Sequence, residues 1–384
     1  MTRRVLVAGG GTAGHVFPAI AVARALTVLA PDIEPVFVGV PDRLEADLVP
    51  AAGFRLHHVD AVPVPRRLSP KLLKVPSGVL ASVRRCEQII DDEAAIGVVT
   101  FGGYVSFPVS WAAARRDLPL VIHEQNAVPG LANRVASRWA DRIAVTVPGS
   151  ADRFRRAERA AVTGNPVRNE VLQLDRDARR ADARIRFGLD PDLPTVLVFG
   201  GSQGARQLNR AIVGAQPLWR GTRMQILHAA GHRLVEETEQ AWARAREEVD
   251  GGPQVRVLDF IDGMADAYAA ADVVVCRAGA TSIAELTVLG IPAVLVPYPH
   301  ATGDHQTRNA EALAAAGGAF LIPDDEIDPA SLVAAVEPLL TDPERHRTVA
   351  AAARSFGRPD AAANVARLLL DLLPTDTRDP GAAS

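Results

Sequence analysis

The sequence predicts an α/β protein made of two doubly wound parallel-sheet domains. Two observations carry this. Short apolar runs alternate with longer helical patterns along the chain, as buried parallel strands joined by crossover helices do. The alternation also restarts midway, and each series opens with a strand that runs into a glycine loop and then a helix. Length agrees, since 384 residues at 48% hydrophobic and 23% charged exceed the usual size of one core.

The first series comprises Arg4-Val-Leu-Val-Ala, Pro35-Val-Phe-Val-Gly, Gly97-Val-Val-Thr-Phe, Leu120-Val-Ile-His and Arg142-Ile-Ala-Val-Thr. The second comprises Thr195-Val-Leu-Val-Phe, Met224-Gln-Ile-Leu-His, Val255-Arg-Val-Leu, Asp272-Val-Val-Val-Cys and Ala293-Val-Leu-Val-Pro. Gly164-Asn-Pro-Val-Arg168 lies between them, and Pro166 interrupts regular structure there, so domains of residues 1–165 and 166–359 are expected. The closing helix, at about 360–373, is expected to fold back on the first domain, and the tail 375–384 is expected to be disordered.

Composition excludes several classes. A formal charge of −3, from 42 Lys+Arg against 45 Asp+Glu, gives no global reason to bind nucleic acid. The two cysteines, Cys86 and Cys276, lack zinc spacing. No signal-peptide core or bilayer-length apolar run is present, so a cytosolic protein with at most surface attachment to a membrane is expected.

The strand ends carry the polar chemistry. Gly9-Gly-Gly-Thr-Ala-Gly-His15 follows the first strand and precedes a helical stretch over 17–29, with Pro18 expected in its first turn. Glycines let backbone approach a ligand, and the helix start favours a phosphate. Alone, Gly9-x-Gly11-x-x-Gly14 also satisfies the dinucleotide fingerprint. The second strand, however, ends in Gly39-Val40-Pro41, and the nearest candidate for a ribose-binding acid, Asp42, lies beyond a proline. Phe199-Gly-Gly-Ser-Gln-Gly-Ala205 is the second domain's counterpart, in which Ser202 is a ligand contact or a helix cap.

Three further segments follow strands. Phe101-Gly-Gly-Tyr-Val-Ser-Phe-Pro108 offers another backbone face. His123-Glu-Gln-Asn-Ala-Val-Pro-Gly-Leu-Ala-Asn-Arg134 crowds polar groups where burial favours apolar ones, and Asn126 or Asn133 can alternatively cap a helix. In Arg277-Ala-Gly-Ala-Thr-Ser-Ile-Ala-Glu285, Ser282 and Glu285 form a capping box, or Glu285 accepts from ribose hydroxyls while the helix start faces phosphate. The loop Pro297 to Gln306 offers amides to sugar hydroxyls, or is merely exposed with Asp304 starting a helix.

In order and combination, Gly-Gly-Thr-x-Gly-His15, Gly-Gly-Tyr-Val-Ser106, His-Glu-Gln-Asn126, Gly-Asn-Pro-Val-Arg168, Gly-Gly-Ser-Gln-Gly-Ala205, the segment to Glu285 and Asp304-x-Gln306 resemble the MurG family of bacterial transferases, glycosyltransferase family 28. The resemblance covers Gly9 to Asn309. It implies a GT-B architecture of two Rossmann-like domains, with donor mainly on the second and acceptor on the first. It implies donor contacts at Thr12, Ala13, Gly14, Asn126, Arg168, Ser202, Ile261, Ala280, Thr281, Glu285 and Gln306. Two departures stand out: Ala13 replaces a glycine, which restricts φ, and His228-Ala-Ala-Gly231 lacks a glutamine after its histidine.

The implied reaction is inverting transfer of N-acetylglucosamine from UDP-N-acetylglucosamine to undecaprenyl-pyrophosphoryl-MurNAc-pentapeptide. His15 is the first candidate for the base that deprotonates the acceptor hydroxyl, or else a phosphate contact, and Glu124 is the second. No Asp-x-Asp follows a buried strand, so catalysis without metal or other cofactor is expected. In the segment 64–75, Arg66, Arg67, Lys71 and Lys74 alternate with leucines, which suits anionic lipid of the inner leaflet as well as a solvated helix. Competing readings are another GT-B transferase, a UDP-sugar epimerase, an NAD-dependent dehydrogenase, or a nucleotide sensor without turnover.

Overall fold

The computed structural model describes residues 2–60 and 75–374. Most of the basic segment 64–75 and the whole tail 375–384 therefore lie outside the described residues. The chain forms two compact units, one up to Pro166 together with the residues from Asp360 onward, the other Val167–Pro359.

The first unit runs β1 (Arg3–Ala8), α1 (Ala13–Leu29), β2 (Ile33–Gly39), α2 (Leu44–Ala51), β3 (Arg55–His58), α3 (Val75–Glu93), β4 (Val98–Thr100), α4 (Ser106–Arg115), β5 (Leu120–Glu124), α5 (Leu131–Ala136), β6 (Arg142–Val145) and β7 (Ala160–Val162). Its strands pair in parallel in the order β3-β2-β1-β4-β5-β6-β7. The order reverses between β1 and β4, where ligands of such sheets bind beyond the strands' carboxyl ends. The glycine loops after β1 and β4 meet there.

The second unit runs α6 (Asn169–Leu172), α7 (Arg176–Arg186), β8 (Thr195–Phe199), α8 (Arg206–Gly214), β9 (Gln225–Ala229), α9 (Val235–Glu248), β10 (Gln254–Leu258), α10 (Met264–Ala270), β11 (Val273–Cys276), α11 (Ala280–Leu289), β12 (Ala293–Leu295), α12 (His305–Ala315), β13 (Ala319–Leu321), α13 (Pro329–Thr341) and α14 (Pro343–Phe356). Its parallel order β10-β9-β8-β11-β12-β13 switches between β8 and β11.

Each sheet is buried on both faces, because successive strand residues point to opposite sides. In β1, Leu6 and Ala8 enter one core cluster while Val5 and Val7 enter another. In β8, Leu197 faces one cluster while Val196 and Val198 face the second. The last helix, α15 (Ala361–Leu370), joins the first unit: Val365, Ala366 and Leu369 pack in the cluster of Val5, Val7 and Leu26.

One local expectation is corrected. Helix α1 begins at Ala13, not Phe17, so Pro18 lies beyond its first turn, where it lacks the N–H that would bond Gly14. The early start answers the departure at Ala13, which occupies the first helical position. Its φ is not positive, so a side chain fits there without strain.

Candidate functional site

In the first unit the β1 loop is built around one histidine and one carboxylate. His15 lies in the first turn of α1, with Nδ1 3.1 Å from the Gly10 carbonyl oxygen and 3.0 Å from Thr12 Oγ1. A carbonyl only accepts, so Nδ1 carries the proton and the lone pair sits on Nε2. A β-carbon on Gly102, after β4, would stand 3.1 Å from His15 Nε2, so the second loop passes directly beneath the imidazole. Thr12 and Ala13 are exposed, whereas Gly14 is half-buried.

Glu45, in the first turn of α2, is fully buried. It accepts from the backbone N–H of Gly11 at 2.9 Å and of Val40 at 3.2 Å. This is the end of β2, where a dinucleotide site holds the ribose with an acid. Here the acid clasps the glycine loop instead, and Asp42 is exposed.

The segment after β5 is organised by Glu124. Its Oε1 accepts from Asn126 N at 3.0 Å and Asn126 Nδ2 at 3.3 Å, and its Oε2 from Asn133 Nδ2 at 2.9 Å and Gly130 N at 3.1 Å. Burial pushes this carboxyl's pKa up, while those donors pull it back. Asn126 and Asn133 thus bond Glu124 and cap no helix, since α5 is preceded by Gly130. Neighbouring His123 is fully buried and donates from Nε2 to Gly164 O at 3.0 Å; burial holds its pKa down at about 4, so it stays neutral near pH 7.

In the second unit an ion pair stands close to the switch point. Arg168 Nε lies 2.7 Å from Glu285 Oε1, and Tyr268 Oη donates to Glu285 Oε2 at 2.9 Å. Glu285 is 2% exposed and Tyr268 fully buried. Sequence reading missed Tyr268, because an aromatic among alanines of α10 looks like ordinary core. The capping box is not formed: Glu285 sits inside α11 facing Arg168, and the helix starts after Gly279 with Ala280 and Thr281 in its first turn. Nor does Ser202 cap a helix, since it is exposed in the β8 loop and α8 begins at Arg206.

That loop is packed backbone against backbone. A β-carbon on Gly204 would overlap Ala230 O, and one on Gly231 would overlap Gly204 N. Behind it Trp242 Nε1 donates to His228 Nδ1 at 3.1 Å, His228 Nε2 meets Asn209 Oδ1 at 3.1 Å, and Asn209 Nδ2 donates to Ala230 O at 3.0 Å. Burial holds His228 at about 3, so this network is neutral. Buried Ile261 follows β10. Gln306, at the start of α12, accepts from Tyr298 N at 2.9 Å and closes the loop after β12. Asp304 precedes that helix and accepts from Thr307 Oγ1 at 2.6 Å. Among the described residues no three His, Cys, Asp or Glu side chains cluster to hold a metal ion.

Comparison with known proteins places these motifs. Residues 5–145 match the glycosyltransferase family 28 N-terminal domain, and residues 195–365 match its C-terminal domain. The UDP-N-acetylglucosamine–N-acetylmuramyl-(pentapeptide) pyrophosphoryl-undecaprenol N-acetylglucosamine transferase of a Nocardioides species is 46% identical over 369 residues, 96% of this chain and 98% of the relative. The same-named transferase of Streptomyces coelicolor is 43% identical over 357 residues, 93% and 94% of the two chains. The crystal structure of Acinetobacter baumannii MurG matches with a TM-score of 0.75 at 30% identity, covering 96% of this chain and 99% of that one. A UDP-GlcNAc 2-epimerase from Neisseria meningitidis, 14% identical with a TM-score of 0.69 and covering 96% and 100% of the two chains, shares the fold alone. The chain belongs to glycosyltransferase family 28, among the UDP-N-acetylglucosamine–N-acetylmuramyl-(pentapeptide) pyrophosphoryl-undecaprenol N-acetylglucosamine transferases.

Proposed function

We propose that this protein transfers N-acetylglucosamine from UDP-N-acetylglucosamine to the 4-hydroxyl of the muramyl sugar in undecaprenyl-pyrophosphoryl-MurNAc-pentapeptide, with inversion, converting lipid I to lipid II in peptidoglycan synthesis. The observation that carries this is near-full-length similarity to transferases named for that reaction, at 46% identity. The dehydrogenase reading loses its ribose acid to the clasp of Glu45 on Gly11. The epimerase reading rests on fold alone.

The residue roles follow from chemistry. His15 Nε2 takes the proton of the acceptor hydroxyl as that oxygen attacks the anomeric carbon and the bond to UDP breaks. Glu124 organises the Asn126 loop and, with both oxygens engaged, is the weaker base. In the second unit Glu285 holds the ribose, Arg168 and the start of α11 at Ala280 and Thr281 stabilise the departing diphosphate, and Ser202, Ile261 and Gln306 complete the donor site. Thr12, Ala13 and Gly14 offer their first-turn backbone to phosphate. No metal enters this scheme.

Transfer of labelled sugar from UDP-N-acetylglucosamine to the lipid acceptor tests the function. Release of UDP with no acceptor present would contradict it, and abolition by EDTA would contradict the metal-free scheme.

Among the described residues no helix is long and apolar enough to cross a membrane. Because its proposed acceptor is a lipid, the protein is proposed to work as a peripheral protein at the cytoplasmic membrane face, with segment 64–75 against anionic lipid. Lys71 and Lys74 are the only lysines in the chain. An amine-reactive probe therefore reports on this segment and the amino terminus, and binding to anionic vesicles should shield both lysines. Unchanged labelling would count against this contact.

A further inference from the structure

The two ends of a single peptide group are bonded to two different side chains. Gly10 C=O and Gly11 N–H belong to one planar amide. Its N–H donates to Glu45 Oε2 at 2.9 Å, and its carbonyl accepts from His15 Nδ1 at 3.1 Å. We propose that Glu45, Gly10–Gly11 and His15 form a relay in which a buried carboxylate acts through a peptide plane to orient and strengthen the imidazole as a base. The inference rests on the assignment of His15 as the base, and Glu45 is a positioning residue that touches no substrate.

Three observations make this more than a loop contact. First, Glu45 is fully buried, and among the described residues its bonds are to amides, with no ion pair. Its charge is thus directed onto the peptide, and an N–H bonded to an anion polarises its amide and makes the carbonyl a better acceptor. Second, the peptide is hemmed in: a β-carbon on Gly10 would overlap Glu45 Oε1, and one on Gly103, at φ +85°, would overlap Gly10 O. The amide therefore has little room to rotate. Third, the carbonyl bond fixes the proton on Nδ1 and the lone pair on Nε2, the nitrogen above Gly102.

When Nε2 takes the hydroxyl proton, the imidazolium charge is met at Nδ1–H by the carbonyl that Glu45 has polarised. The proton stays on Nε2 until UDP has left, and none passes through the peptide to Glu45. Other groups around the imidazole act differently. Thr12 Oγ1 shares Nδ1 at 3.0 Å, His123 on β5 is neutral near pH 7, Glu124 is saturated by Asn126, Gly130 and Asn133, and Tyr104 on the Gly102 loop is exposed.

The test is the pH dependence of kcat for Glu45→Gln. This change keeps an acceptor for Gly11 N–H and removes the charge. The expected result is a fall in kcat of about tenfold with donor KM unchanged, and a downward shift of the acid limb by roughly half to one pH unit. Glu45→Asp should restore part of the shift. In a His15→Ala background, Glu45→Gln should cost nothing further, because the relay has lost its end. An unmoved acid limb, or an equal loss in the His15→Ala background, overturns the proposal. Full turnover by His15→Ala overturns the base assignment instead, whatever Glu45 does. Nitrogen-15 NMR of the native enzyme is a second readout that no folding defect obscures: a proton on Nε2 of neutral His15 would also overturn the relay.

Discussion

The two units repeat one topology and equip it in opposite ways. In the first, the loop at the switch point is surrounded by titratable groups, His15 and Glu45 directly, with Glu124 and His123 on the next strand end. In the second, the loop is held by backbone against backbone, with a neutral Trp242–His228–Asn209 network behind it. Its charged pairs include Arg168–Glu285 and, at the loop itself, the more exposed Arg206–Glu237 and His232–Asp259. A glycine loop at a switch point therefore supplies only a backbone surface. On the proposed roles, the acids and bases placed around it decide whether it moves protons or holds a ligand.

That contrast predicts separable losses. His15→Ala should lower kcat about 1,000-fold, near 4 kcal/mol, with donor KM changed less than about twofold. A matching loss of donor binding would break the division. Arg168→Ala leaves Glu285 buried and unpaired by charge, and should weaken donor binding about 100-fold, near 3 kcal/mol, by calorimetry. If only turnover falls, the second unit is not a passive holder.

Acid should weaken both units through their buried histidines. Folding lowers these pKa values from 6.5 to about 4 for His123 and about 3 for His228, so the unfolded chain binds more protons as pH falls. Stability is complete above the ordinary value and is lost on acidification, by about 1.4 kcal/mol per pH unit from each histidine. The loss from His123 ends near pH 4 and that from His228 near pH 3. Urea unfolding across this range checks it, and a flat profile would contradict neutral burial. The smallest expected effect is that of Tyr268→Phe, which removes one donor from Glu285. Donor KM should rise about tenfold, near 1.5 kcal/mol, with kcat kept. No change would leave Arg168 alone as the carboxylate's support.

Much of this was legible in the sequence, with a physical pattern to the exceptions. Strands buried on both faces announce themselves as apolar runs, as Val5 to Ala8 and Val273 to Cys276 do. The strands that escaped notice, β3, β7 and β13, are edge strands of three or four residues: β3 is largely polar, and β7 and β13, though apolar, are too brief to stand out as runs. Polar motifs were visible wherever they followed a strand. Partners distant in sequence were not: Glu45 follows no strand motif and drew no notice, yet its carboxylate serves a loop 34 residues away. Ser282 and Glu285 satisfied a local rule, but Arg168, 117 residues earlier, claims the glutamate.

The return of the chain to its first unit bears on how the protein is made. Helix α15 supplies Val365, Ala366 and Leu369 to the core of β1 and α1, and Leu369 and Leu373 press on Gly97, where a β-carbon would collide with them. A ribosome delivers these residues only after the whole second unit. The unit whose strands emerge first must wait, with an apolar face uncovered, while the other can close during synthesis. Premature termination near Pro359 would therefore injure the half made earliest, leaving a nascent chain with a finished second unit and a sticky, unfinished first one.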